Sequence, residues 1–252
     1  MKNLFLSLTI LTLITLIILP VYGGSVSSSE VAEASLINTT WGYGSGENKF
    51  NQTILNAIDK KWCNYELPIS PILVKATIAI ESGFCSNAVS PSGYAGLMQI
   101  GTNEAKAQGL SLSPYDERFI PEKNIIAALG TLKTKHRVIK YPGDTYPGKV
   151  WAKRVNNFYS KYGMPNIYQE WTLTLGAYNG GGATVLRAMN YCIMDGKDPR
   201  NWNNLYCKEN PCHSPLYRAV VDIYGSSYAK SKYYQMGNYP VKIFKLLNIY
   251  IE

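Results

Sequence analysis

Histidine is nearly missing from this chain. Its 252 residues hold two, His136 and His213. That scarcity argues against a metal centre and against Cys-His or Ser-His nucleophilic catalysis. The five cysteines (Cys63, Cys85, Cys192, Cys207 and Cys212) lack zinc-site spacing, and no cofactor is expected. Charged residues are sparse, at 17% of the chain. Even so, 25 Lys and Arg against 17 acids leave a formal net charge of +8. The excess is scattered, with no dense Lys/Arg run, so nucleic acid is not the expected partner. Strand-like alternation and internal repeats are also missing, which excludes a sheet protein or a solenoid. Beyond residue 19 no apolar run reaches the roughly 20 residues that a membrane-spanning helix needs.

What is present begins with a leader. Lys2 precedes an apolar run over residues 4–19, Pro20 stops it, and Val21-Tyr22-Gly23 offers a small residue for cleavage. Residues 1–23 read as a secretory signal. A retained N-terminal anchor, with peripheral membrane association, is the alternative. No Cys near the end of the run offers a lipid attachment point. Export favours disulfides. Up to two bridges and one leftover thiol are expected, one bridge among Cys192, Cys207 and Cys212, with Cys63 and Cys85 the candidate second pair. Residues 24–47 are rich in Ser and Gly and read as a flexible linker. Residues 48–235 form the folded domain, and 236–252 a tail that is either a packed final helix or an edge element.

Hydrophobic content of 46% supports a packed core. The periodicity in the domain is helical. Phe50, Ile54, Leu55, Ile58 and Trp62 share one face. Ser70-Pro71 reads as a helix start, and Ile72 to Glu81 as a short, nearly apolar helix stopped by Gly83. Pro121 opens a longer helix, Val150 to Tyr162 another, and Ser214-Pro215 a late one. The fold class is mainly α.

Glu81 is the leading chemical candidate. It sits at a helix C-terminus beside Ile78 and Ile80. Burial and the negative end of the helix dipole both disfavour its charged form. A protonated carboxyl is what a departing glycosidic oxygen requires. A lone helix-end Glu is more often paired or solvated, so the weight lies on its neighbours. Ser90 lies in a turn, Val89-Ser90-Pro91-Ser92-Gly93, where its hydroxyl could reach Glu81 or a sugar acetamido group, or simply hold the turn. Gln99 is an amide among Leu97, Met98 and Ile100. Either sugar hydroxyls or a backbone carbonyl would satisfy it. Met98 is a ligand-contact candidate, though Met in such a setting more often fills a core. Tyr178 offers a hydroxyl and a ring face and Asn179 an amide, ahead of Gly180-Gly181-Gly182, where a polymer could approach the backbone. A helix C-cap with Asn179 left-handed is the structural alternative.

The blocks Glu81-Ser82-Gly83-Phe84, Asn87-Ala88-Val89-Ser90-Pro91, Gly96-Leu97-Met98-Gln99-Ile100, Pro121-Glu122-Lys123-Asn124-Ile125 and Ala177-Tyr178-Asn179-Gly180-Gly181 occur in one order. In that order the chain resembles the SLT-type lytic transglycosylases of the lysozyme-like superfamily. The resemblance covers roughly Leu67 to Ala188. It implies a helical lysozyme-like domain with a substrate groove. By it, Glu81 is the single acid/base, with Ser90, Gln99 and Tyr178 as groove residues around it; Met98 and Asn179, read from the residues themselves, complete the candidate substrate-binding set.

The resemblance further implies a secreted, periplasmic or cell-envelope enzyme. Its substrate is peptidoglycan or a similar acidic wall glycan, cut at the β-1,4 bond after N-acetylmuramic acid. Ring closure by the sugar's own 6-hydroxyl gives a 1,6-anhydro product, so a second carboxylate is unnecessary. A muramidase-type hydrolase, using a nearby acid such as Glu104, Asp116 or Glu117, and a non-catalytic wall-binding protein are the competing expectations.

Overall fold

The computed structural model describes residues 36–249. The leader over 1–23 and the first part of the linker lie outside the described residues. The described residues form helices and no strands. The only ladder contacts are isolated antiparallel bridges, Val89 with Ala95 and Ala95 with Ile100. No described helix is long and apolar enough to cross a membrane.

The chain divides into two compact units, residues 1–130 and 131–252. The first contains α1 (Asn51–Trp62), α2 (Pro71–Ser82), α3 (Thr102–Ala107) and a 3₁₀ turn at Glu117–Phe119. The unit boundary falls inside α4 (Pro121–Lys140). The second unit continues with α5 (Pro142–Thr145), α6 (Val150–Tyr162), α7 (Ile167–Gly180), α8 (Gly182–Met194), α9 (Trp202–Leu205), a 3₁₀ turn at Pro211–His213, α10 (Pro215–Tyr224) and α11 (Ser226–Leu246).

In the first unit α1 packs on α2. Of the face read from spacing in α1, Phe50, Ile54 and Trp62 are buried, with Ala57 beside them, while Leu55 and Ile58 are half-buried. Helix α2 is buried from Ile72 through Ala79. Each of its large aliphatic side chains contributes about 1.5–3 kcal/mol by leaving water. Pro71 occupies the first helical position, where no N–H is needed. Gly83 ends the helix in the left-handed region (φ 55°), its N–H returning to Ala79 O.

In the second unit α8 is central and packs on α6, α7 and α10, while α11 lies on α7 and α10. The core gathers Leu173, Val185, Leu186, Met189, Trp202, Leu216 and Tyr233. Helix α7 starts four residues before the apolar run at Trp171. Asn166 caps it, accepting from the Tyr168 and Gln169 N–H groups while Gln169 completes a capping box. Ser214 precedes α10 as expected, but its hydroxyl donates to Leu205 O and does not cap the helix.

Three expectations change. Residues 24–47, read as a flexible linker, are folded from Leu36 onward: Ile37 and Glu47 are buried against the first unit. The tail boundary at 236 falls within α11, whose Met236, Tyr239, Pro240, Ile243 and Phe244 are buried. The tail therefore enters the second unit as a packed helix. No disulfide forms, because all five cysteines are free. Of the three cysteines in the second unit, Cys192 is the least accessible. It is sealed in the core, and burial pushes its thiol pKa up to about 12.

The cationic excess is segregated along the chain. Residues 131–252 hold 17 Lys and Arg against 7 acids, and residues 1–130 hold 8 against 10.

Candidate active site

Glu81 is the penultimate residue of α2 and is partly exposed, whereas the helix before it is sealed in the core. The chain then turns sharply. Gly83 is left-handed, and so is Phe84 (φ 66°). A bulky residue in that region costs on the order of 1–3 kcal/mol and persists only where its surroundings over-determine it. Here Phe84 is 8% exposed and packs edge-on against Tyr43, with ring centroids 6.0 Å apart. The turn is closed by Cys85 N–H to Ser82 O (3.1 Å) and Ala88 N–H to Cys85 O (3.2 Å). The carboxyl-bearing end of α2 is therefore fixed by the loop that follows it.

That loop runs from Cys85 to Ile100 and brings Ser90, Met98 and Gln99 onto one hydrogen-bonded frame. Ser90 holds its own turn. Its Oγ accepts from Tyr94 N–H (3.1 Å), and its backbone N–H donates to Tyr94 O (2.9 Å). Gln99 is left-handed (φ 48°), and its Nε2 donates to Ala88 O (3.1 Å) and Gly96 O (2.9 Å). The amide's donor end is thus taken by backbone carbonyls, and the acceptor Oε1 is what it can offer a ligand. Met98 is 0% exposed, and its N–H donates to Asn124 Oδ1 (2.8 Å).

Asn124 and Arg118 hold the frame. Asn124, fully buried at the start of α4, also donates through Nδ2 to Ala95 O (3.0 Å) and Arg118 O (2.8 Å). Gly96 is required there. It is left-handed (φ 81°), and a Cβ would overlap Arg118 O and the Asn124 amide. The Arg118 guanidinium reaches Gly93 O (2.8 Å) and Ile100 O (3.0 Å) while its other edge pairs with Asp116. Hydrogen bonds from Arg118 hold the Asp116 carboxyl below its usual range. Glu117 is lowered as well, by Lys123 and by the Ser111 N–H. Two of the three acids near Glu81 in sequence are therefore engaged in ion pairs.

Arg118 was missed in the sequence, although a signal existed. Asp116-Glu117-Arg118 has the spacing of Asp198-Pro199-Arg200, and the two clips have the same form. In the second, Arg200 pairs with Asp198 and reaches Tyr162 O (2.7 Å) and Gly163 O (3.2 Å).

Tyr178 and Asn179 lie in the second unit, in the last turn of α7. Tyr178 stacks on Tyr239, with ring centroids 6.5 Å apart and planes at 21°. The C-terminal carbonyls of α7 are met by side chains: Lys232 Nζ donates to Asn179 O (2.9 Å) and Tyr224 OH to Gly180 O (2.9 Å). A cation at this end also complements the helix dipole. Asn179 is helical and not left-handed; the break falls at Gly181 (φ 83°). Its Oδ1 is buried without a hydrogen-bond partner. The flanking glycines face protein. A Cβ at Gly180 would overlap Met236, and one at Gly182 would overlap Val138. Their smallness thus admits neighbouring side chains in place of the polymer envisaged from composition.

Among the described residues, no group of three or more His, Cys, Asp or Glu side chains is placed to hold a metal ion. The helical architecture, with one carboxyl at a helix end followed by a left-handed turn and a tightly bonded loop, is of the lysozyme-like class. Residues 56–198 match the family described as Transglycosylase SLT domain. The chain belongs to that family, whose members are lytic transglycosylases acting on peptidoglycan. No curated protein matches it.

Proposed function

We propose that this protein cleaves the β-1,4 bond between N-acetylmuramic acid and N-acetylglucosamine in peptidoglycan without water, with Glu81 as the sole acid/base. The observation that carries the reading is the position of Glu81. Within the span matched to the family, it is the carboxyl at the exposed end of a buried helix, held by a left-handed turn.

In the first step the Glu81 carboxyl gives its proton to the glycosidic oxygen, and the bond from that oxygen to the muramic anomeric carbon breaks. The neighbouring acetamido group stabilises the oxocarbenium-like centre. In the second step the sugar's 6-hydroxyl oxygen bonds to the anomeric carbon and its proton returns to Glu81. The two products together have the atoms of the substrate. Ring closure needs no second carboxyl, whereas hydrolysis needs one about 5–9.5 Å from the first; two of the three acids near Glu81 in sequence, Asp116 and Glu117, are tied to Arg118 and Lys123. In the first unit Ser90 and Gln99, through its Oε1, are assigned to the substrate, and Met98, fully buried, to the core of that unit; in the second unit Tyr178 and Asn179 are assigned to the substrate. The leader and the basic charge fit export to the cell envelope and an anionic wall polymer.

The test is digestion of purified sacculi followed by mass spectrometry. Wild-type protein should release anhydro-ended fragments, and Glu81→Gln should release none above background. Fragments one water heavier would assign the reaction to a hydrolase. Undiminished cleavage by Glu81→Gln would remove Glu81 from the chemistry.

A further inference from the structure

The segment before α1 is fastened to α2 by one buried charge, Lys75, and closed on itself by another, Glu47. Lys75, fully buried on α2, directs its Nζ to Ile37 O (2.6 Å), Thr39 O (2.7 Å) and Asn48 Oδ1 (2.5 Å). Glu47, 3% exposed, accepts from the Trp41 and Tyr43 N–H groups, each at 2.6 Å. The Trp41 ring also lies 5.7 Å from the Lys75 ammonium. Burying charges is costly, so it is a poor way merely to cover a helix; here the two charges hold named backbone groups of residues 37–43 in place.

What that geometry fixes is Tyr43. The residue is 41% exposed, so filling the core is not its role. The ring meets Phe84 edge-on at 73°, and its Cδ1 lies 3.5 Å from where a Cβ on Gly83 would stand. Gly83 and Phe84 are the two left-handed residues directly after Glu81-Ser82.

We propose that Ile37–Glu47 is a positioning strap for Glu81, with Tyr43 as its point of contact on the turn. The inference rests on Glu81 being the acid, and it adds a group that acts through the turn without touching substrate. The strap holds Phe84 in a conformation it would otherwise leave, and so aims the end of α2. Misplacing a reacting group by about 1 Å costs up to ~10²-fold in rate. The contact is ring on ring, so the Tyr43 hydroxyl is dispensable.

The experiment compares wild type, Tyr43→Ala, Tyr43→Phe and Glu81→Gln in two assays. One is kcat and KM on soluble glycan strands. The other is amide hydrogen exchange over residues 80–88, which needs no activity. Tyr43→Ala should lower kcat by about tenfold or more, within that bound, with KM little changed. It should also speed exchange at Gly83, Cys85 and Ala88. Tyr43→Phe should restore both. Wild-type exchange and kcat in Tyr43→Ala, beside an inactive Glu81→Gln, would overturn the strap while leaving the proposed function standing. A loss in KM alone, or no rescue by Phe, would make Tyr43 a substrate contact and overturn it equally. An active Glu81→Gln would sink the proposed function and the catalytic purpose of the strap, whereas the exchange data would still report whether Tyr43 holds the turn.

Discussion

Replacing Asn124 tests whether one buried amide organises the loop beside Glu81. The side chain is fully buried and makes three hydrogen bonds, to Met98 N–H, Ala95 O and Arg118 O. Asn124→Ala leaves one donor and two acceptors without that partner. Each stranded buried group costs about 1–3 kcal/mol, less where water enters the space. Allowing for such water, the loss should be about 3–5 kcal/mol, a large part of the 5–15 kcal/mol that stabilises a typical domain. Urea unfolding followed by circular dichroism measures it as a lower midpoint at unchanged slope.

Asn124→Asp sharpens the test at constant size. One oxygen still accepts from Met98, but the other now faces two carbonyl oxygens. The charged form is disfavoured, so the folded-state pKa of this carboxyl rises above its unfolded value of about 3.9. The sign follows. The variant is weakest at neutral pH and recovers relative to wild type as pH falls through the raised folded value toward 3.9. A loss below about 1 kcal/mol for Ala, with no acid recovery for Asp, would show that the loop does not depend on this amide.

Other consequences are measurable. Hydrogen bonds from Arg118 depress the folded pKa of Asp116, so their stabilisation is present above about pH 4 and is lost as pH falls through the folded value. Asp116→Asn should therefore flatten the acid arm of the stability profile, by about 1 kcal/mol or less for a partly exposed pair; parallel profiles would contradict this. In reduced native protein, a thiol reagent should label the exposed Cys63, Cys85 and Cys212 first, then Cys207, and Cys192 only on unfolding. Early labelling of Cys192 would contradict its burial and raised pKa.

Much of the helical fold was legible because its signals are local. Spacing at Ile54 and Trp62, Pro71 at a helix start and Gly83 at a stop each need only a few neighbouring residues. The strap was not legible. It continues a Ser- and Gly-rich stretch and its own alternating glycines resemble a linker, and what fixes it is Lys75, far along the sequence. Burying a lysine is unfavourable unless distant carbonyls receive it, which no local pattern announces. The candidate site divides the same way. Glu81 and its glycine stop could be read directly. That Gln99 would turn its donors inward, and that Asn124 would clasp three backbone groups, depends on a fold-back of the loop. The glycines after Asn179 were read by type alone, and only packing shows Met236 and Val138 beside them. Cysteine spacing suggested bridges, yet Cys192 serves as a small apolar filler.

The uneven distribution of cationic side chains separates bulk charge from the proposed chemistry along the chain. Most lysines and arginines lie beyond residue 130, while the proposed bond-breaking carboxyl and the groups that hold its turn lie before it. On the proposed function, neutralising exposed lysines of α6 and α11 is expected to weaken retention on an anionic polymer while the residues that hold the Glu81 turn stay as they are.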